Sequence, residues 1–178
     1  MKKKGIILAG FGGVGKTALA EKYKNVVDLE VTLFKYDYAN VKKEDYEKLK
    51  GNRMRVRRND YPQNYFDAIK QAVKIFDIVC VQYPANESNG YYDEFGQEIV
   101  LCLPCAEEYA GYENKFRARG NSDEWIEKNK KYFKIGQEIF EKYKGPKILL
   151  KVGQTLEDAL IERKFRLLPK RRKQTSEN

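Results

Sequence analysis

Eight residues near the start of the chain carry its densest chemistry: Gly10-Phe11-Gly12-Gly13-Val14-Gly15-Lys16-Thr17. Glycines at both ends of a four-residue gap, then lysine and threonine, satisfy every fixed position of the phosphate-loop pattern. Each has a physical job. Glycines let successive backbone N–H groups turn inward as an anion nest, and a helix start adds partial positive charge. Lys16 reaches the outer phosphates, and the Thr17 hydroxyl ligates magnesium. Gly10, Gly12, Gly13, Val14, Gly15, Lys16 and Thr17 are therefore the expected nucleoside-triphosphate ligands, with Thr17 on the metal. The spacing Gly10-x-Gly12-x-x-Gly15 also fits the dinucleotide fingerprint, and Glu30 falls about where that fold wants an acid, ~20 residues on. Lys16 and Thr17 decide between the two, because phosphoryl transfer needs a cation and a hydroxyl directly after the last glycine and a dinucleotide fold needs neither.

Two further groups of residues fit the same chemistry. Asp28 and Glu30 close an apolar run, and ligands of open α/β sheets bind beyond the carboxyl ends of strands. Strand alternation points both to one side, where they could hold the acceptor, orient its hydroxyl as a base, or hold magnesium waters. Asp77 begins the next apolar run and Gln82 ends it, so no Walker B aspartate closes that strand. Arg117 and Arg119 lie in a basic segment between Gly111 and Gly120. It reads as a hinged lid over residues 108–122, whose arginines would close on the charge that spreads over a moving phosphoryl group. A solvated basic loop is the plainer reading of that segment.

These residues need a scaffold, and the sequence supplies one. Apolar runs over 5–9, 26–30, 77–82, 99–103 and 147–151 alternate with amphipathic stretches over 16–24, 64–76, 122–143 and 155–164. That alternation predicts parallel strands joined by helices. Ser122 offers an N-cap followed by Asp123 and Glu124, and Gly145-Pro146 a stop. Phe66, Ile69, Val73 and Phe76 recur at helical spacing, so this stripe is expected to be core.

Composition bounds the rest. A chain of 178 residues, 42% apolar and 34% charged, fits one soluble globular domain. No run approaches the ~18 apolar residues of a membrane span, and the apolar stretch behind the basic start is too short for a leader, so a cytoplasmic protein is expected. Cys80, Cys102 and Cys105, with no histidine in the chain, read as reduced structural thiols. The net charge of +9 is concentrated in Arg53, Arg55, Arg57 and Arg58 and in the stretch from Arg163 to Lys173. Such a balance suits phosphorylated small molecules or nucleic acid. The expected organisation is a domain over residues 1–170 and a basic, disordered tail over 171–178.

The loop at residues 10–17, Asp28-Leu29-Glu30, the run from Arg58 through Asn59-Asp60-Tyr61-Pro62-Gln63-Asn64 to Tyr65, and Arg117-Ala118-Arg119-Gly120-Asn121-Ser122 together resemble the P-loop nucleoside and nucleotide kinases. Within that superfamily the chain is similar to the short adenylate-kinase-like proteins of phages and low-GC Gram-positive bacteria. The resemblance implies a three-layer α/β fold with a parallel sheet in order 2-3-1-4-5, ATP and Mg2+ as cofactors, and transfer of the γ-phosphate to a nucleoside monophosphate or nucleoside. It implies Lys16, Thr17, Arg117 and Arg119 as phosphate and transition-state ligands and Asp28 as the acceptor or magnesium carboxylate. The residues around 53–64 would clamp an acceptor phosphate, and Lys151-Val152-Gly153-Gln154-Thr155 would pass around the donor base. The Asp-Gly-[Phe/Tyr]-Pro-Arg signature of true adenylate kinases is absent. Two alternatives keep the loop but change the outcome: a kinase acting on nucleic-acid ends or bases, and an ATP-binding protein without turnover.

Overall fold

The computed structural model describes residues 4–37, 42, 56–84 and 94–170. Five parallel strands form its centre: β1 (Ile6–Gly10), β2 (Val26–Asp28), β3 (Ile78–Gln82), β4 (Ile99–Pro104) and β5 (Lys147–Leu150). Their order is β2-β3-β1-β4-β5, the order the resemblance implied. Strands buried on both faces read as continuous apolar runs. That is why Ile7, Leu8 and Ala9, Ile78 to Val81, and Ile99 to Leu103 are almost wholly excluded from water. In register, Gly10 stands opposite Gln82 on one side and Cys102 on the other, which aligns three strand ends at one edge of the sheet.

Among the described residues the helices around the sheet include α1 (Lys16–Lys22), α2 (Thr32–Lys35), α3 (Gln63–Ile75), α4 (Tyr109–Ala118), α5 (Asp123–Lys142) and α6 (Leu156–Glu162). Helix α1 packs against α6, α3 lies against β3 and β1, and α5 lies against β4. Of the expected stripe, Phe66, Ile69 and Val73 are buried on α3 with Tyr65 beside them, while Phe76 follows the helix end in extended conformation and packs half-buried against the core. The Ser122 hydroxyl caps α5 by accepting from the Trp125 N–H at 3.2 Å. Thr155 and Asp158 close a reciprocal capping box at the start of α6.

Three local features differ from the sequence expectation. β2 stops at Asp28, because the chain turns through residues 29–31 into the short helix α2. Tyr36–Asp37 and Val56–Arg57 pair as a small antiparallel ribbon beyond α2, which no periodicity in two-residue strands could announce. The segment expected as a glycine-hinged lid is largely the helix α4, and Gly111 lies inside it. Tyr109, Tyr112 and Phe116 give this segment a buried helical face at three- and four-residue spacing, which outweighs the single glycine.

The last described residues are part of the domain. Lys24 N–H donates to Leu168 O at 2.9 Å, Lys170 N–H to Lys22 O at 2.9 Å, and Leu168 N–H to Asn25 Oδ1 at 2.8 Å. Asn25, buried beneath the sheet, also donates to Arg166 O at 2.7 Å and Asp77 Oδ2 at 2.8 Å. Residues 171–178, expected as a disordered tail, lie outside the described residues, as do Arg53 and Arg55.

Candidate functional site

The loop begins where β1 ends. Phe11 N–H donates to Cys102 O on β4 at 3.0 Å, and the chain then turns back through Gly12 and Gly13 to start α1 at Lys16. Gly13 at φ +87° and Gly15 at φ +100° hold conformations that side chains with a Cβ rarely adopt. Among the described residues, the N–H groups of Gly12, Gly13 and Gly15 donate to no described acceptor. Gly12 and Gly15 are exposed and Gly13 is half-buried, so water can serve these donors, and a row of them at a positively polarised helix start is a place where an anion can replace that water.

Side chains converge on the same place. The Lys16 ammonium folds back onto the loop, donating to Gly10 O at 2.8 Å and Phe11 O at 3.1 Å. Those two carbonyls hold the charge where phosphate oxygens would otherwise receive it. The Thr17 hydroxyl donates to Asp28 Oδ2 at 2.7 Å, which joins the start of α1 to the end of β2. Burial raises the pKa of the Asp28 carboxyl, the Thr17 hydrogen bond and the Lys16 charge pull it back down, and the Glu30 charge raises it slightly. Hydroxyl and carboxylate oxygens are the hard donors that magnesium takes, alongside waters and substrate phosphates.

Asp28 and Glu30 do not share a face in the way strand alternation implies. Past the end of β2, the Glu30 carboxylate turns to the start of α2, where Oε1 accepts from Thr32 Oγ1 at 2.7 Å and Thr32 N–H at 3.3 Å. Tyr65 closes the Arg58-to-Tyr65 run of the family resemblance, which assigned it no role of its own. Its hydroxyl donates to Leu29 O at 2.9 Å and accepts from Gln82 N–H at 3.3 Å, tying the ends of β2 and β3 beneath the site.

Helices α4 and α5 wall the loop on its other side. A Cβ on Gly13 would sit 3.0 Å from a Tyr112 ring atom and 3.1 Å from one of Phe116, so α4 lies directly on the phosphate loop. Phe11 meets Tyr83, Tyr109 and Phe133 edge-on. Arg117 and Arg119 stand at the far end of α4. Arg117 is ion-paired with Asp123 and its side chain is 54% exposed. Among the described residues neither arginine bonds to the loop or to Asp28. In the expected acceptor clamp, Arg58 holds Asp60 in two hydrogen bonds at 2.9 and 2.8 Å, and Arg57 lies over the Tyr61 ring. The Lys151 to Thr155 turn is tied to the start of the α4 wall by Gly153 N–H donating to Glu108 Oε2 at 3.2 Å. Cys80 and Cys102 are buried on β3 and β4, and burial lifts the Cys102 thiol to about 12. Among the described residues no helix is long and apolar enough to cross a membrane.

No protein-family model and no curated protein matches the chain. Among solved structures it is similar to a gluconokinase from Sinorhizobium meliloti 1021, with 14% identity, a TM-score of 0.45, and coverage of 89% of this chain and 88% of that chain.

Proposed function

We propose that this protein is an ATP-dependent phosphotransferase that moves the γ-phosphoryl group to a small acceptor, a nucleoside monophosphate or a nucleoside. The observation that carries this reading is the Thr17 hydroxyl bonded to the Asp28 carboxylate at 2.7 Å, at the mouth of a loop with unpaired N–H groups. A phosphate nest alone would bind an anion. A hydroxyl and a carboxylate set beside it supply the oxygen donors for a magnesium nucleotide, and they answer the lack of an acid at the end of β3. Thr17 and Asp28 would hold the ion, whose chemistry is to neutralise charge on the bridging phosphate oxygens.

The chain's own groups then divide the work. Lys16 leaves the Gly10 and Phe11 carbonyls for the outer phosphates, and the loop N–H groups cradle the phosphates between. As the acceptor oxygen approaches in line, its bond to the γ-phosphorus forms while the bond to the β–γ bridging oxygen breaks; a nucleoside hydroxyl gives its proton to a nearby carboxylate, whereas the oxygen of a monophosphate attacks already ionised. Asp28, engaged on Thr17, and Glu30, engaged on Thr32 at the head of α2, are the two carboxylates that could take that proton. Arg117 and Arg119, at the junction of α4 and α5, would close on the transferring group once Arg117 exchanges Asp123 for phosphate.

The test is a screen of nucleosides and nucleoside monophosphates for acceptor-dependent ADP release from ATP and magnesium. Lys16→Ala should abolish release in a protein that melts like wild type, because a point charge is lost without touching the core. Activity retained within about tenfold would overturn the assignment. Release only with oligonucleotides would replace the small acceptor by nucleic acid.

A further inference from the structure

The buried face of α5 is formed by Ile126, Asn129, Phe133 and Gly136, so a carboxamide stands in a stripe where an aliphatic side chain would pack. Asn129 is only 8% exposed. The amide has one end tied inside the protein and the other open: among the described residues the fully enclosed side-chain polar atom without a partner is Asn64 Oδ1, so Asn129 Nδ2 still reaches water. Oδ1 accepts from the Tyr109 hydroxyl at 3.1 Å, while among the described residues Nδ2 donates to no described group.

The free end faces the phosphate loop. A Cβ built on Gly12 would lie 3.8 Å from Asn129 Nδ2, with no other atom nearer than 4 Å. Gly12 is one of the loop residues whose N–H is itself unpaired. The orientation is fixed from behind. The Tyr109 ring stacks on Phe133 with centroids 4.2 Å apart and meets Phe11 edge-on at 6.5 Å. Burial raises the Tyr109 hydroxyl to about 12, so it stays a donor and keeps Oδ1 occupied. What remains toward the loop is a neutral group that can only donate. Such a group complements an anion and has nothing to offer a cation or a second donor.

We propose that Asn129 is a further ligand of the phosphate site, donating from Nδ2 to a phosphate oxygen of the bound nucleoside triphosphate, with Tyr109 as the positioning residue that turns the amide toward it. The inference rests on the phosphotransfer reading above and adds to it a residue that no loop motif contains. A neutral donor also suits the position: it recognises phosphate without drawing the Asp28 carboxylate away from Thr17, as a second cation would.

The variant that tests it is Asn129→Leu, which keeps the heavy-atom number and branching of the side chain and completes the apolar stripe, with Asn129→Ala as the smaller control against overpacking. With the full chain, binding of MgADP and of MgADP with aluminium fluoride, a mimic of the phosphoryl group in transit, is measured beside turnover. Asn129→Leu is expected to hold or raise the melting temperature, to leave MgADP affinity within about threefold, and to lower both turnover and aluminium-fluoride-complex affinity by ~10²-fold, as loss of one preorganised donor does. Tyr109→Phe should give a smaller loss, and the double variant should be no worse than Asn129→Leu alone, because both act through one hydrogen bond. Asn129→Ala supplies the same readings should the leucine variant misfold. Unchanged fluoride-complex affinity and turnover in folded Asn129 variants would overturn this inference and leave the phosphotransfer reading standing. A wild-type protein that binds the fluoride complex no better than MgADP, and that transfers phosphate to no acceptor, would overturn both.

Discussion

Replacing the loop glycines one at a time by alanine should separate them by stability, in an order set by the packing of α4 on the loop. Gly13 has φ +87°, and its new Cβ would meet Tyr112 at 3.0 Å and Phe116 at 3.1 Å. Those rings are 4% and 2% exposed, so neither can swing aside into solvent. Left-handed backbone costs an alanine about 1–2 kcal/mol, and overpacking a buried contact about 1–3 kcal/mol more, which together give ~2–5 kcal/mol. At ~2–4 °C per kcal/mol for a domain of this size, melting should fall by roughly 4–20 °C. Gly15 has φ +100° but nothing within 4 Å of its added Cβ. Only the backbone term applies, about 1–2 kcal/mol or ~2–8 °C. At Gly12 the one neighbour, Asn129 Nδ2 at 3.8 Å, is at ordinary contact distance. Stability there should stay within ~0.5 kcal/mol. Thermal and urea melts without nucleotide read the series directly. If Gly13→Ala melts like Gly12→Ala, α4 does not lie on the phosphate loop and the wall described here is wrong.

Asp28→Asn keeps the shape of the Thr17 contact but removes the charge, so turnover with magnesium should fall by ~10² or more. Because burial raises the Asp28 pKa in the folded protein, the ionised carboxylate costs folding stability above that pKa, and the same substitution should raise the neutral-pH melting temperature. If ionised Asp28 holds the metal, activity in wild type should be lost as pH falls through a value above the ordinary ~3.9, and Glu30→Gln, which removes a charge that raises it, should move that limb to lower pH. Arg117→Ala and Arg119→Ala should each lower turnover by ~10²–10⁴ with far less effect on ATP affinity, and lysine at either position should rescue in part; normal turnover with a good acceptor in both would end the lid reading. Ending the chain after Lys170 spares every contact described, whereas ending it after Lys164 removes four hydrogen bonds that tie residues 166–170 to Lys22, Lys24 and Asn25. At ~0.5–1.5 kcal/mol net for each, the shorter chain should lose about 2–6 kcal/mol, and equal melting of the two truncations would contradict that tie.

The sheet was legible because its central strands are buried on both faces and read as continuous apolar runs, so all five runs contain strands, and their order is the one the family resemblance implied. What stayed hidden depended on tertiary contact. Nothing in Asp28-Leu29-Glu30 says that the strand stops after its first residue; the decision is made by Leu29 and α2 closing over Tyr65, far along the chain. The α4 segment carries two competing signals: its charges and Gly111 suit a hinged loop, while the spacing of Tyr109, Tyr112 and Phe116 predicts a helix, and burial of that aromatic face decides for the helix.

That aromatic face makes the two sides of the site differ. On the α4 and α5 side, Phe11, Tyr83, Tyr109, Tyr112, Phe116 and Phe133 are all less than a tenth exposed, and this aromatic wall touches the loop at Phe11 and Gly13. Close-packed rings resist small displacements, so the loop N–H groups are held before any nucleotide arrives, which is the form of preorganisation that stabilises developing charge most. The charged groups are held otherwise: Lys16 on two carbonyls, Thr17 on Asp28, Glu30 on Thr32, Arg117 on Asp123. Each of those partners can be exchanged for a phosphate, a metal or an acceptor without disturbing the core. Asn129 belongs to both sides. It is a polar group rooted in the aromatic wall, and its test therefore asks whether the wall only supports the loop or also reads what the loop has bound.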